Sequence, residues 1–475
     1  MIDNRQFYID GAWVNPTAPR DFDVIDPSTE DFCATISLGD QADTDAAVTA
    51  ARRAFDSWSQ TSPAERKELI ESIYEVYKER AEEMSQAISQ EMGAPIDLAR
   101  NSQTTSGTWH IEGFLEAFDD IEWESVRKEK TGERIHREPI GVVGMITPWN
   151  WPMNQVTLKV IPALAAGCTM VLKPSEIAPL SSLVFTDIMH EAGAPAGIYN
   201  MVNGDGPGVG SQLSEHMDVD MISFTGSTRA GRLITAASAS NLKRVSLELG
   251  GKGANVIFAD ADEKAVIRGA RHCFNNTGQS CNAPTRMLVE RSRYDEAVEQ
   301  AAATAEKTQV NRASEQGRHI GPVVSEVQYN KIQDLIQKGI DEGARLVAGG
   351  TGRPDGLNRG YFIRPTVFAD VNNDMTIARE EIFGPVLSII PFDSEEEAIS
   401  IANDTAYGLT NYVQTTDDER RLRMARRLRA GMIETNGNGF SRGSPFGGMK
   451  QSGNGREGGV FGIEEFQEVK AISGC

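Results

Sequence analysis

From residue 141 onward, short apolar runs alternate with stretches of helical spacing, and the alternation is run through twice. The pattern predicts strands at 141–147, 169–173, 198–202, 221–225 and 244–249. Helices are predicted at 152–166, at 181–191 ahead of Gly193, and from Ser227. Strands apolar throughout are buried on both faces, and a strand–helix–strand order lays successive strands parallel. A second set runs from Asn255 to about Asn436, after a break at Gly250, Gly251 and Gly253. The fold class is therefore α/β, with two doubly wound parallel sheets covered by helices. Such sheets bind ligands beyond the carboxyl ends of their strands.

Ahead of this region, Ser62, Pro63 and Glu65 form a capping box with proline at the first helical position. Leu69, Ile73, Val76 and Tyr77 follow at helical spacing and predict one long amphipathic helix to about Met92. Two stretches fit neither set: the charged residues 121–138 and the glycine-rich tail from Gly447.

Several partners are excluded on composition. The net charge is −21, and binding nucleic acid or an acidic membrane surface needs a basic face. The longest apolar stretch, 160–172, contains Pro162 and Gly167 and is too short to cross a bilayer. Residues 1–10 carry no secretory pattern. The five cysteines, Cys33, Cys168, Cys273, Cys281 and Cys475, are odd in number and show no CxxC pair, which implies a reducing, cytoplasmic compartment. The histidines lack metal-ligand spacing, so no metal site is expected.

Two familiar motifs are set aside. Gly453, Gly455 and Gly458 spell GxGxxG, but no strand leads into them and no acidic residue follows at the required distance. Gly439, Ser441 and Gly443 spell GxSxG, but the glycine- and proline-rich residues after Ser441 cannot continue as the helix of a nucleophile elbow.

The residues that can carry chemistry lie in turns and at strand ends. Cys281 follows a predicted helix and sits among small polar residues, Asn275 to Asn282, unlike Cys168 and Cys273 in their apolar surroundings. That setting suits a nucleophilic thiolate with positive potential around it. Glu248 closes an apolar strand between Leu247 and Leu249, where a raised pKa would make it a general base; solvent-facing alternation is an equal reading. Asn150, between a strand and a helix, is either an oxyanion donor or a plain turn residue. Lys173 and Glu176 offer a cation and an anion suited to a ribose. Gly226 and Ser227 open a helix whose N-terminus can hold a phosphate.

Taken together and in order, these segments resemble the aldehyde dehydrogenase superfamily from about Tyr8 to the end. The resemblance extends to Glu380–Val386 (EEIFGPV) and to Pro445–Lys450 followed by Ser452 and Gly453. It implies NAD, with NADP possible, as cofactor and a small aldehyde as substrate. Cys281 would be the nucleophile, Asn150 the oxyanion donor and Glu248 the base that hydrolyses the thioester. Thr147, Lys173, Glu176, Gly226, Ser227, Leu249, Glu381 and Phe383 would bind the cofactor. Trp151, Asn154, Gln155, Leu158, Asn282 and Phe440 would line the substrate tunnel. It also implies a cofactor-binding domain of residues 1–120 and 140–249 and a catalytic domain of residues 250–446. A small β oligomerisation element, 121–139 and 447–475, would build a homodimer or homotetramer.

Three rivals remain at this stage. An acylating relative would lack a glutamate at Glu248. A cofactor-independent thiol esterase would leave the cofactor motifs unexplained. A non-catalytic binding protein would have lost Cys281 or Glu248. The amides of Asn154, Gln155 and Asn282 predict a polar tunnel, and Arg442, if turned inward, would reach a substrate carboxylate.

Overall fold

The computed structural model describes residues 2–128 and 132–474. Met1, Cys475 and residues 129–131 of the charged stretch lie outside them. Two seven-stranded sheets dominate. In the first, the strands run Arg244–Glu248, Met221–Thr225, Val142–Ile146, Thr169–Lys173 and Tyr199–Met201, all parallel. Phe7–Ile9 and Ala12–Val14 extend it with antiparallel pairing. Val142–Ile146 has the next strand in the chain, Thr169–Lys173, on one side and the third after it, Met221–Thr225, on the other. That reversal opens a crevice beyond its carboxyl end, at Thr147 to Asn150.

The second sheet has the order Arg345–Ala348, Thr366–Ala369, Val386–Phe392, Arg286–Glu290, Ala254–Ile257, Thr410–Gln414 and Met432–Thr435. All but the first pairing are parallel. The strands have apolar inner faces; Val142–Ile146 and Thr169–Lys173 are buried at every position. Burying each large aliphatic side chain contributes roughly 1.5–3 kcal/mol before chain entropy is offset.

The helix Pro152–Ala166 lies under the crevice. Proline at its first position needs no hydrogen-bond partner, and Gly167 in the left-handed region (φ 95°) ends it. Nearly all of its residues are buried, including Lys159.

The single helix predicted over 62–92 is two helices, Pro63–Glu79 and Ala81–Met92, broken at Arg80 (φ −99°, ψ 13°). The capping box at Ser62 forms as expected. The break redirects the second helix so that Met84, Ile88 and Met92 enter the core. Arg80 holds the corner by ion pairs to Glu83 and Glu191. Apolar spacing continues through the corner, so the pattern does not reveal it.

A three-stranded antiparallel sheet joins Gln467–Ile472, Glu133–Pro139 and Glu124–Lys128. Residues 447–458 do not join it. They run beside the end of the Arg244–Glu248 strand, where Leu249 N–H donates to the Ser452 carbonyl at 2.9 Å and Ser452 Oγ to the Gly250 carbonyl at 2.6 Å. Among the described residues no helix is long and apolar enough to cross a membrane.

Candidate active site

The site forms where the first sheet presents its carboxyl ends and the second its amino ends. Glu248 is the last residue of its strand, while Thr410 and Met432 begin theirs. The carboxyl-end rule thus holds for the first sheet only.

Cys281 is aimed by an unusual turn. Asn276, Thr277 and Gly278 all have positive φ (49°, 57° and 72°). A β-branched residue there is strained, and only surrounding bonds hold it. Thr277 Oγ1 donates to the Gly321 carbonyl at 3.0 Å. Asn276 Nδ2 donates to the Asn150 carbonyl at 2.9 Å. Gln103, at the end of a π turn (Ala99–Gln103), donates from Nε2 to the Asn150 carbonyl and to Asn276 Oδ1, at 3.0 and 3.1 Å. Gln279 Oε1 accepts from Val324 N–H at 2.9 Å. A Cβ on Gly278 would lie 2.0 Å from the Gly384 carbonyl oxygen, so glycine is needed there.

Asn150 is 4% exposed, and its Nδ2 donates to the Gln279 carbonyl at 3.0 Å. That uses one amide N–H and leaves the other for an oxyanion. Trp151 turns away from both neighbouring cavities and donates from Nε1 to Ser280 Oγ at 2.8 Å. Its place is to pin the cysteine loop.

Cys281 is partly exposed and borders a cavity that opens to solvent. Burial pushes the thiol up to about 12, and the neighbouring Glu381 and Glu248 push in the same direction. The setting thus disfavours the thiolate, chiefly through burial, where the sequence pointed to a potential that would favour it. Glu248 is buried, and neither carboxylate oxygen has a hydrogen-bond partner among the described residues. Burial, and then the charge of Glu457, raise its pKa well above the usual value, with Lys159 and Arg456 opposing. Lys159 Nζ and Glu457 Oε1 form a buried ion pair at 2.6 Å. A Cβ on Gly447 would stand 2.7 Å from Glu248 Oε1, so the tail leaves room for the carboxylate.

One cavity of about 220 Å³ brings together Cys281, Glu248, Asn150, Gln155, Gly226, Ser227, Leu249, Glu381 and Phe383. Glu381 Oε1 accepts from Gly251 N–H at 2.8 Å, while Oε2 has no hydrogen bond among the described residues. A Cβ on Gly250 would fall 2.3 Å from that Oε2. Phe383, at φ 60°, meets Trp149 edge-on with ring centroids 5.4 Å apart. Ser227 caps the helix Thr228–Ser238 through Ala230 N–H. Thr147, Lys173 and Glu176 lie outside this cavity. Thr147 N–H donates to the Lys173 carbonyl at 3.1 Å, and Lys173 Nζ contacts Glu176 at 3.3 Å and the Gly204 carbonyl at 2.6 Å.

A second cavity, of about 460 Å³, is lined by Asn154, Leu158, Asn282 and Phe440, with Trp109, His110, Glu434 and Phe446. Cys281 and its neighbour Asn282 thus face one cavity each. His110 Nε2 lies 2.7 Å from Asn154 Oδ1. Burial lowers its pKa to about 4, so the ring is neutral and donates to that oxygen. Asn154 Nδ2 is left without a partner among the described residues. Gln155 borders the first cavity, not the second. Arg442 does not turn inward. It pairs with Glu112 at 2.5 Å and Glu116 at 2.7 Å.

Gln103, His110, Asn276, Lys159 and Glu457 were not singled out from sequence. Only Lys159, a charge inside an apolar helix, carried a visible signal.

Three comparisons show what the chain is similar to. The family model described as "Aldehyde dehydrogenase family" matches residues 13–472. A 3-succinoylsemialdehyde-pyridine dehydrogenase from Pseudomonas sp. is 52% identical over 100% of this chain and 99% of its own length. The crystal structure of an aldehyde dehydrogenase from Bartonella henselae superposes with a TM-score of 0.99 at 59% identity, over all of both chains. A mutant of aldehyde dehydrogenase C from Pseudomonas syringae, solved with NAD+ and octanal, gives 0.97 at 49% identity, over 98% of this chain and 96% of that one. The chain belongs to the aldehyde dehydrogenase family and is an NAD(P)-dependent aldehyde dehydrogenase.

Proposed function

We propose that the chain oxidises an aldehyde to the free acid through a thiohemiacetal and a hydrolysed thioester on Cys281. The observation that carries this reading is the meeting of the Cys281 thiol, the spare Asn150 N–H and the unpartnered Glu248 carboxylate at one cavity. The Cys281 sulfur adds to the carbonyl carbon, and the Asn150 amide and backbone N–H of Cys281 receive the oxyanion. NAD, when bound, accepts the hydride. Glu248 then takes a proton from the water that attacks the thioester, and the thiolate leaves. Aldehyde, water and oxidised cofactor become carboxylate, reduced cofactor and two protons.

The cavity residues fit that cofactor. Glu381 Oε2 is an open acceptor for a ribose hydroxyl, and Gly250 keeps space for it. Phe383 and Trp149 offer flat apolar walls. Gly226 and Ser227 sit where a helix N-terminus favours a pyrophosphate. Lys173, Glu176, Thr147 and Leu249 would hold the adenosine side and the cavity edge. The retained Glu248 favours hydrolysis over transfer to coenzyme A.

The substrate is read as an uncharged aldehyde with a hydrogen-bond acceptor along its tail. Asn154 Nδ2 supplies a free donor in the second cavity, and Arg442 is already neutralised. The 52%-identical relative is named for a semialdehyde joined to a pyridine ring. Residues 1–120 with 140–249 act as the cofactor-binding part and 250–446 as the catalytic part. The three-stranded sheet that ends the chain serves a homo-oligomer, and a free, reactive thiol at Cys281 favours a reducing, cytoplasmic compartment.

Two variants test the mechanism. Cys281→Ala abolishes turnover and leaves cofactor binding. Glu248→Gln gives a burst of about one reduced cofactor per active site and then slow turnover. An unchanged steady-state rate in Glu248→Gln would mean that another group activates the water.

A further inference from the structure

Among the described residues only two titratable side chains line the larger cavity, His110 and Glu434, and no lysine or arginine does. His110 is neutral and committed to Asn154. Glu434 is the third residue of the strand Met432–Thr435, which begins at the cavity wall. Its side chain is half-buried and makes no hydrogen bond or salt bridge among the described residues. The guanidinium nearest in charge, Arg268, is tied to Asp262 at 2.8 Å and to Gln414 at 2.6 Å. Elsewhere on this rim the carboxylates are paired: Glu112 and Glu116 hold Arg442. The polypeptide thus leaves one bare carboxylate facing a cavity whose other walls are aromatic, aliphatic or uncharged polar.

We infer that Glu434 is a specificity-determining residue that turns away aldehydes with an anionic tail. The inference deepens the substrate reading above and rests on the Cys281 site being the oxidation site. A substrate carboxylate in this cavity would meet a like charge that Arg268, outside the lining residues, offsets only in part, in half-buried surroundings that screen it less than bulk water does. Uncharged tails meet no such field and gain contact with Trp109, Phe440 and Phe446. Burial raises the pKa of Glu434, the mark of a carboxylate that the protein leaves unsupported. It stays the excluder at neutral pH so long as it is ionised, and a second anion beside it costs more than either alone.

The test is a series of ω-oxo acids of about four to eight carbons against n-alkanals of equal length, because the depth at which the tail meets Glu434 is read from the series. The wild type is expected to disfavour the oxo acid by about tenfold or more in kcat/KM at one length or several. Glu434→Gln should remove most of that gap, read as the ratio of kcat/KM for oxo acid and alkanal within the same variant. Glu434→Lys should reverse it, a result that a merely structural role would not give. Equal use of acids and alkanals at every length overturns the inference, as does a ratio that neither variant moves. Failure of the wild type to oxidise any aldehyde would sink the reading of the Cys281 site, and the inference with it.

Discussion

At the scale of single residues, the state of the nucleophile is the sharpest consequence. A thiol pushed up to about 12 is almost wholly protonated at neutral pH. Below its pKa the thiolate fraction rises tenfold per pH unit. Alkylation of Cys281 by iodoacetamide in cofactor-free enzyme should therefore climb about tenfold per unit from pH 7 to 10 without a plateau. A plateau near 8.5 would show an ordinary thiol and remove the negative potential assigned to Glu381 and Glu248. A cationic ring against the sulfur would oppose that potential, so saturating NAD should move the whole curve to lower pH. Glu176 supports a second expectation. Its carboxylate neutralises Lys173 at 3.3 Å, so a ribose 2′-phosphate bound there would meet a balanced pair and gain little, while a 2′-hydroxyl can donate to it. NAD should give the higher kcat/KM, and Glu176→Gln should narrow the gap. Preference for NADP in the unaltered enzyme would contradict this role.

At the scale of elements, the turn at 276–278 does what neither strand nor helix can. It reverses direction while carrying three left-handed residues, and it sets Cys281 opposite Asn150. Gly278→Ala combines an unfavourable φ with a Cβ 2.0 Å from the Gly384 carbonyl oxygen. The strain is expected to cost at least about 2 kcal/mol, hence a Tm lower by several degrees, with kcat falling more than cofactor affinity. An unchanged Tm would show that the turn relaxes freely. The example also marks the limit of reading from sequence. The helix at 152–166 and the strands at 169–173 and 221–225 have the predicted bounds, because local spacing and flanking glycine or proline set them. Glu248 and Asn150 stood out by chemistry at strand ends, and Cys281 by its polar, glycine-containing turn after a helix. Gln103 and Glu457 did not, since each reaches the site across a long sequence separation from a segment whose own pattern is ordinary. Arg442 misled for a related reason: its partners, Glu112 and Glu116, lie on a helix more than three hundred residues earlier.

At the scale of the molecule, two seven-stranded sheets flank the site, and of the two three-stranded sheets the antiparallel one that ends the chain stands apart from the chemistry. Its strand Gln467–Ile472 is hydrogen-bonded on one side to Glu133–Pro139 and is otherwise an edge. An open edge with backbone groups unpaired is a template for another strand or a surface. Val469 on that strand is 63% exposed and Val126, on the far strand of the same sheet, 48%. Val469 shares its face of the sheet with Ala471, while the register turns Val126 to the opposite face, so the apolar strip that a second copy can cover lies on the edge strand. With a net charge of −21, copies repel one another at a distance, so association needs such a contact. The protein is expected to run as a dimer or tetramer in light scattering. Val469→Asp, which buries a charge in any interface formed there, should shift it to a smaller species. Neither cavity includes Val469, so turnover per subunit should stay within about twofold. If the variant keeps the assembly of the wild type, the sheet face is not the contact. If the assembly shrinks and turnover collapses with it, the site depends on the neighbouring copy in a way that a self-contained Cys281 cavity does not require.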